Sequence, residues 1–183
     1  VVSIGHSDTT AEATKAALAE GASCFTHLFN AMSPMQSRAA GMTGAAINSA
    51  AYAGVICDGI HVADEMLALA LRARPQVDTT FLVSDAMATV GGSEHFTLYD
   101  QKIQLLDGRL INAEGSLAGA HTTMADGVVR LITQLGLDPA AALRMATTIP
   151  ARVIGRPTGL IGQGLNECLL LGPNWAVAQT GLA

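Results

Sequence analysis

Four polar side chains each close an apolar run in the first half of this chain. His6 follows residues 1–5, His27 follows 22–26, and His61 follows 52–60 through Asp58-Gly59-Ile60. Asp85 follows residues 80–84. Neutral imidazole is the commonest metal ligand, and a catalytic zinc keeps three protein ligands and one open position. His6 and His27 therefore read as two ligands of a divalent ion, with the third to come from elsewhere. Zinc suits such ligands, as do iron, manganese and cobalt. Asp85 reads in two ways, as a carboxylate capping the next loop or as a general base that takes a proton from water and hands it to a leaving amine. The second reading, with two imidazoles on the same rim, is metal-assisted hydrolysis.

Arg38 is the only Lys or Arg between Lys15 and Arg72. It is either a solvated surface residue or, beside Asn30 and backbone amides, the holder of an anionic substrate group. Asp58 carries less weight, because Asp-Gly is a common turn. His95 reads as a surface residue, and His121 as a loop residue at a helix start. Met32, Met35 and Met42 read as apolar packing.

The elements that must carry these groups alternate in type. The spacing between the four polar residues leaves room each time for a strand, a loop and a helix, and parallel strands with reactive groups at their C-terminal ends are the mark of a (β/α) barrel. Thr9-Thr10-Ala11-Glu12 predicts a capping box with Thr9 as N-cap, opening a helix that stops at Gly21. A short helix is expected over 43–51. Asp64 is expected to cap another, whose stripe is Met66, Leu67, Ala70 and Leu71, ended by Pro75. Residues 95–112 predict short strands around an Asp107-Gly108 turn. Residues 116–120 lead into a helix over about 122–135. Asp138-Pro139 starts another that ends near 149–150, and 168–171 reads as a strand. About four βα units are visible against the eight of a closed barrel, so the chain reads as the C-terminal part of a longer protein.

Composition narrows the classes. Of 183 residues, 50% are hydrophobic but only 4% aromatic, so the core must be built from aliphatic side chains and Met. A net charge of −5 argues against a nucleic-acid partner. No apolar stretch is long enough to span a membrane. The three cysteines, Cys24, Cys57 and Cys168, form no C-x-x-C pair and read as reduced thiols of a cytoplasmic protein.

Several of these segments together resemble the N-acetylglucosamine-6-phosphate deacetylases of the amidohydrolase superfamily. They are Gly5-His6-Ser7, Thr26-His27-Leu28-Phe29-Asn30-Ala31-Met32, Asp58-Gly59-Ile60-His61-Val62 and Ser84-Asp85-Ala86, with further matches at Gly115-Ser116-Leu117-Ala118-Gly119 and over residues 143–151. The resemblance covers about residues 1–160. It implies that His6 and His27 are zinc ligands and Asp85 the catalytic acid/base. It implies substrate contacts from Asn30, Ala31, His61, Leu117, Ala118 and Gly119, and a phosphate-binding Arg38 that serves the neighbouring subunit of a homodimer. The implied reaction releases acetate and glucosamine 6-phosphate.

The implied fold is α/β, the C-terminal half of a (β/α)8 barrel with pieces of a small β-sandwich. Residues 1–94 would be βα units bearing the metal and catalytic groups, 95–112 a hairpin insertion, 113–158 closing helices, and 159–183 return strands. Two departures stand out. The family's remaining metal ligand, a Glu at an earlier strand end, would lie before Val1. Residues 165–168 also replace a usual Ala-Asp dipeptide. Two other readings remain: an amidohydrolase acting on a cyclic amide or N-acyl amino acid, and a non-catalytic sugar-phosphate-binding fragment.

Overall fold

The computed structural model describes residues 1–159, 161–162, 164–175 and 177–180. It is an α/β structure with a four-stranded parallel sheet: β1 (Ser3–Ile4), β2 (Cys24–Phe25), β3 (Tyr52–Val55) and β4 (Thr80–Leu82), in that spatial order. Register pairs Ile4 with Phe25, Phe25 with Ala53, and Val55 with Leu82. The strands are short, but the ladder runs on past them, through Thr26 N–H to Ile4 O at 2.9 Å, Leu28 N–H to Gly54 O at 2.8 Å and Val83 N–H to Val55 O at 2.9 Å. These extensions bring the residues after β1 to β4 to one end of the sheet.

Helices α1 (Ala11–Ala19), α2 (Gly41–Ile47) and α3 (Asp64–Ala73) alternate with the strands. Thr10, not Thr9, is the N-cap of α1: its extended backbone (φ −79°, ψ 165°) lets its hydroxyl accept from Ala13 N–H. The Thr9 carbonyl instead accepts from the Ser33 hydroxyl, which anchors the loop after β2. Helix α2 begins and ends earlier than expected, with the Asn48 amide donating to Gly44 O at 2.9 Å at its end. The N-cap of α3 is Ala63, and Asp64 sits one position inside the helix, where Arg130 engages its carboxylate. The buried face of α3 centres on Leu67 and Ala70, while Met66 lies outside it.

Arg74, at the end of α3, is buried, and no carboxylate pairs with it among the described residues. Its guanidinium donates to Ala46 O at 2.8 Å, to Ala51 O and to the Thr79 hydroxyl at 3.3 Å. Those groups lie at the end of α2 and the starts of β3 and β4, so Arg74 ties the far end of the sheet.

After β4 comes an antiparallel sheet of sequential order: β5 (His95–Leu98), β6 (Gln101–Leu106), β7 (Arg109–Ile111) and β8 (Leu117–Ala120). Asp107 and Gly108 form the β6–β7 turn with φ of 49° and 76°, as a two-residue hairpin of the primed type requires. Residues 117–120 do not lead straight into a helix; they are strand β8, held between Arg109 of β7 and Ala86. Helix α4 (Met124–Thr133) has a full capping box of Thr123 and Asp126. The single helix expected from residue 139 is two, α5 (Pro139–Ala146) and α6 (Thr148–Val153), because Thr147 (φ −130°, ψ −74°) leaves helical backbone. Strands β9 (Leu169–Leu171) and β10 (Val177–Thr180) pair antiparallel. The part of the expected tail at 160, 163, 176 and 181–183 lies outside the described residues.

Phe25, Leu28, Met42, Val55, Leu67, Leu82, Leu131 and Ile149 form the core between the parallel sheet and its helices. Cys24 and Cys57 are buried free thiols. No helix among the described residues is long and apolar enough to cross a membrane.

Candidate active site

His6 directly follows Gly5 at the end of β1, and His27 follows Thr26 at the end of β2. A side chain on Gly5 would overlap the Thr26 methyl group, so glycine there lets the two strand ends close up. The Nε2 atoms of His6 and His27 come within 2.8 Å, with ring centroids 4.6 Å apart. His27 is buried and His6 exposed. The pair thus has one solvent-facing member and one rooted in the core.

Two ε-nitrogens this close are a pair of donors that one divalent ion could share. His27 Nδ1 is buried without a hydrogen-bond partner among the described residues. That leaves Nε2 as the only working nitrogen of this ring. The two imidazoles fit a metal as part of its ligand set. They do not complete one, since among the described residues no group of three His, Cys, Asp or Glu could hold an ion.

The loop after β2 folds over this pair. Ser7 N–H donates to Ala31 O at 2.9 Å, and Ser7 and Met32 form an isolated parallel bridge. Asn30 donates from its side chain to the His27 and Leu28 carbonyls, each at 3.4 Å. His6, Ser7, Asp8, Ala31 and Met32 line a shallow cavity of about 340 Å³. Asn30 and Ala31 therefore lie beside the imidazole pair.

Asp85 follows β4 and is exposed. Its carbonyl accepts from Ala120 N–H at 2.8 Å, and Met87 N–H donates back to Ala120 O at 3.1 Å. Strand β8 is thereby fastened to the loop that carries Asp85. Gly119 (φ 80°) lies against Met87, and a Cβ there would also come within 3.2 Å of Asp85 O. The structure thus brings Gly119 and Ala120 to the backbone of Asp85, which chain distance alone does not suggest. His6, Ala31 and Asp85 share one trait: each is a non-glycine residue in the left-handed region, with φ of 47°, 50° and 51°.

His61, on the loop after β3, is held by a residue that sequence reasoning set aside. Its Nδ1 lies 2.6 Å from Asp58 Oδ2, and both side chains are only 7% exposed. Asp58 Oδ1 also accepts from the Ile60 and His61 amides, both at 2.9 Å. Burial pushes the Asp58 carboxyl up, but these hydrogen bonds and the imidazolium charge outweigh it and bring it down to about 2. His61 is raised above its ordinary value by the Asp58 hydrogen bond, against burial, with help from the charges of Asp58 and Asp85. The available signal was the i, i+3 spacing of a carboxylate and an imidazole.

Arg38 is not drawn into this cluster. It sits at the exposed tip of a tight turn closed by hydrogen bonds between Gln36 and Ala39, and makes no ion pair among the described residues. His95 is exposed on β5. His121, between β8 and α4, meets the buried Thr89 hydroxyl through Nδ1 at 2.9 Å. Met42 is fully buried, Met32 packs against the core and Met35 is partly exposed. A larger cavity of about 660 Å³, between α4 to α6 and the tail, shares no lining residue with the cluster.

No protein-family model matches the chain. Among curated proteins, it is 36% identical over 159 residues to an N-acetylglucosamine-6-phosphate deacetylase of Haemophilus influenzae, covering 85% of this chain and 41% of that protein. It is 40% identical over 167 residues to an N-acetylgalactosamine-6-phosphate deacetylase of a Shewanella species, covering 90% of this chain and 42% of the relative. Among solved structures, an N-acetylglucosamine-6-phosphate deacetylase from Pasteurella multocida superposes with a TM-score of 0.89 at 32% identity, over 97% of this chain and 48% of that one. A mutant of the Mycobacterium smegmatis enzyme in complex with N-acetyl-D-glucosamine-6-phosphate gives 0.88 at 31% identity, over 97% and 49%. The chain spans about two fifths of these curated relatives and about half of the solved chains.

Proposed function

Homology to a part of the N-acetylglucosamine-6-phosphate deacetylases is the premise from which we propose that the protein carrying this chain removes the acetyl group of an N-acetylhexosamine 6-phosphate. The observation that carries the reading is the convergence of His6 and His27 at Nε2. In it, β1 to β4 are four of the eight strands of a (β/α)8 barrel and the site lies at their C-terminal ends. The later strands would belong to a small β-sandwich.

His6 and His27 would hold a divalent metal, most simply zinc, together with a carboxylate ligand from outside this chain. When bound, that ion supplies Lewis-acid activation of water and of the acetyl carbonyl. Asp85 would take a proton from the attacking water at its carboxylate oxygen and deliver it to the amide nitrogen. The C–N bond then breaks, acetate leaves with the oxygen of water, and the amino sugar leaves with the proton. Asn30, Ala31, His61 and the Leu117-Ala118-Gly119 segment would line the sugar. Arg38 would grip the phosphate through two parallel hydrogen bonds, and its exposed turn suits a contact made to the neighbouring subunit of a homodimer.

The sugar epimer has a second reading. The Shewanella relative at 40% identity is named for the galactosamine substrate, so N-acetylgalactosamine 6-phosphate competes with the glucosamine epimer. Acetate release by the metal-loaded, full-length protein should be measured with both 6-phosphates, both unphosphorylated sugars and a cyclic amide. Turnover of at least one 6-phosphate is expected, at a higher kcat/KM than its unphosphorylated form. No acetate from either 6-phosphate would overturn the reading.

A further inference from the structure

We propose that Asp58 is a positioning residue of this site: it holds the His61 imidazole in one orientation and leaves Nε2 to meet a polar group of the substrate. The proposal rests on the deacetylase reading above and extends it to a residue that the resemblance leaves without a role.

The geometry accounts for every polar atom of the pair but one. Asp58 spends Oδ1 on the Ile60 and His61 amides and Oδ2 on the His61 ring. Its rotamer is therefore fixed by the loop backbone, and the ring is fixed by the carboxylate. A carboxylate accepts, so the proton between them is assigned to His61 Nδ1. Nε2 has no hydrogen-bond partner among the described residues and is the nitrogen left for a ligand. The Asp58 carboxylate beside Nδ1 outweighs burial and raises His61 above its ordinary value, which favours the form in which Nε2 also carries a proton over that of a free imidazole.

The loop bearing this pair is itself backed. Gly59 (φ 73°) lies so close to the Arg130 guanidinium of α4 that any side chain there would overlap it. Arg130 in turn grips Asp64, in the first turn of α3, through Nε at 3.0 Å and Nη2 at 2.7 Å. The charged groups around His61 are thus Asp58 on its own loop and Asp85 after β4. The Arg130–Asp64 pair behind the loop is internally neutralised. A ring held this way does not reorganise when charge develops on a substrate atom, which is how preorganised groups lower a barrier. A loop staple alone would not need the free nitrogen.

The test uses full-length, metal-loaded protein with Asp58→Asn. The His61 ring is followed by NMR across a pH series, with its signal assigned through His61→Gln, alongside metal content and kcat/KM on both hexosamine 6-phosphates. We expect the His61 midpoint to move to lower pH, kcat/KM to fall roughly tenfold or more, and metal content to hold. Asp58→Glu should restore part of both losses. An unmoved midpoint overturns the proposal, and so does a kcat/KM within twofold of wild type. If the wild-type protein releases no acetate, the functional reading fails separately, and the midpoint still decides whether Asp58 sets the state of His61. If Asp58→Asn does not fold, the wild-type titration decides: a midpoint at or below the ordinary ~6.5 overturns the proposal.

Discussion

His6 and His27, 21 residues apart in the chain, meet Nε2 to Nε2 at 2.8 Å. Two neighbouring parallel strands bring them together, and the missing side chain of Gly5 leaves room for Thr26 between the strand ends. In the full-length protein, His6→Ala and His27→Ala should each lose bound metal and turnover together. Elemental analysis reads this directly. A full equivalent of metal retained by both variants would remove them from the ligand set.

Gly5→Ala tests the same pair without touching a ligand. The added methyl must displace the Thr26 side chain and push the two strand ends apart. Metal affinity should fall roughly tenfold to a hundredfold, the usual cost of disturbing groups that orient ligands, while the fold survives. Chelator competition measures it, and affinity equal to wild type would mean the strand ends have slack.

Asp85→Asn keeps the shape of the side chain but removes the proposed base. General acid–base groups contribute ~10²–10⁴-fold, so kcat should fall by at least that lower figure with KM and metal content nearly unchanged. A loss below tenfold at full metal occupancy would take Asp85 out of proton transfer.

Arg38 stands on a turn tip with no ion pair among the described residues, so its removal should leave stability alone. Charge-assisted hydrogen bonds are worth ~1.5–3 kcal/mol. Arg38→Ala should then lower kcat/KM on the 6-phosphate by roughly tenfold to a hundredfold and leave the unphosphorylated sugar nearly unaffected. If the residue serves a neighbouring subunit, mixing Arg38→Ala with Asp85→Asn protein should recover activity. Equal losses on both sugars would instead assign Arg38 to holding the loop.

The Asp58–His61 pair also writes a pH signature into stability. His61 is raised in the folded protein, so its contribution is complete below its ordinary 6.5 and fades as pH rises through the higher folded value. Asp58 is lowered, so its contribution is complete above its ordinary 3.8 and fades as pH falls toward about 2. The stability gap between wild type and Asp58→Asn, read by urea unfolding, should therefore be widest between about pH 4 and 6.5. A gap that does not vary with pH would mean the pair is uncharged.

What the amino-acid pattern made legible was the sheet and its rim. Parallel strands buried on both faces read as apolar runs, and the polar residue ending each run marks the rim. Thr9-x-x-Glu12 fits a capping box and Thr10-x-x-Ala13 does not, yet Thr10 is the cap because its hydroxyl accepts from Ala13 N–H, a contact that the pattern does not report. Strand β8 was missed because Leu-Ala-Gly-Ala has little strand preference of its own; its partners on β7 and at Ala86 impose the extended form. Asp58 was discounted because Asp-Gly is also the commonest turn signal, and local sequence does not report what an aspartate bonds to. Nothing in the local sequence marks Arg74, just past the end of an amphipathic helix, as the arginine that the fold buries among carbonyls.

The left-handed backbone of His6, Ala31 and Asp85 sets function against durability. An L-residue held there is worse off than glycine by roughly 1–2 kcal/mol, so the fold carries a cost at the very positions where its chemistry would reside. Selection for thermal endurance alone would drift toward glycine or asparagine at these sites, against the proposed chemistry. Natural variants of this chain that carry glycine or asparagine at His6 or Asp85 would relieve that cost and lack the side chains on which the proposed reaction depends.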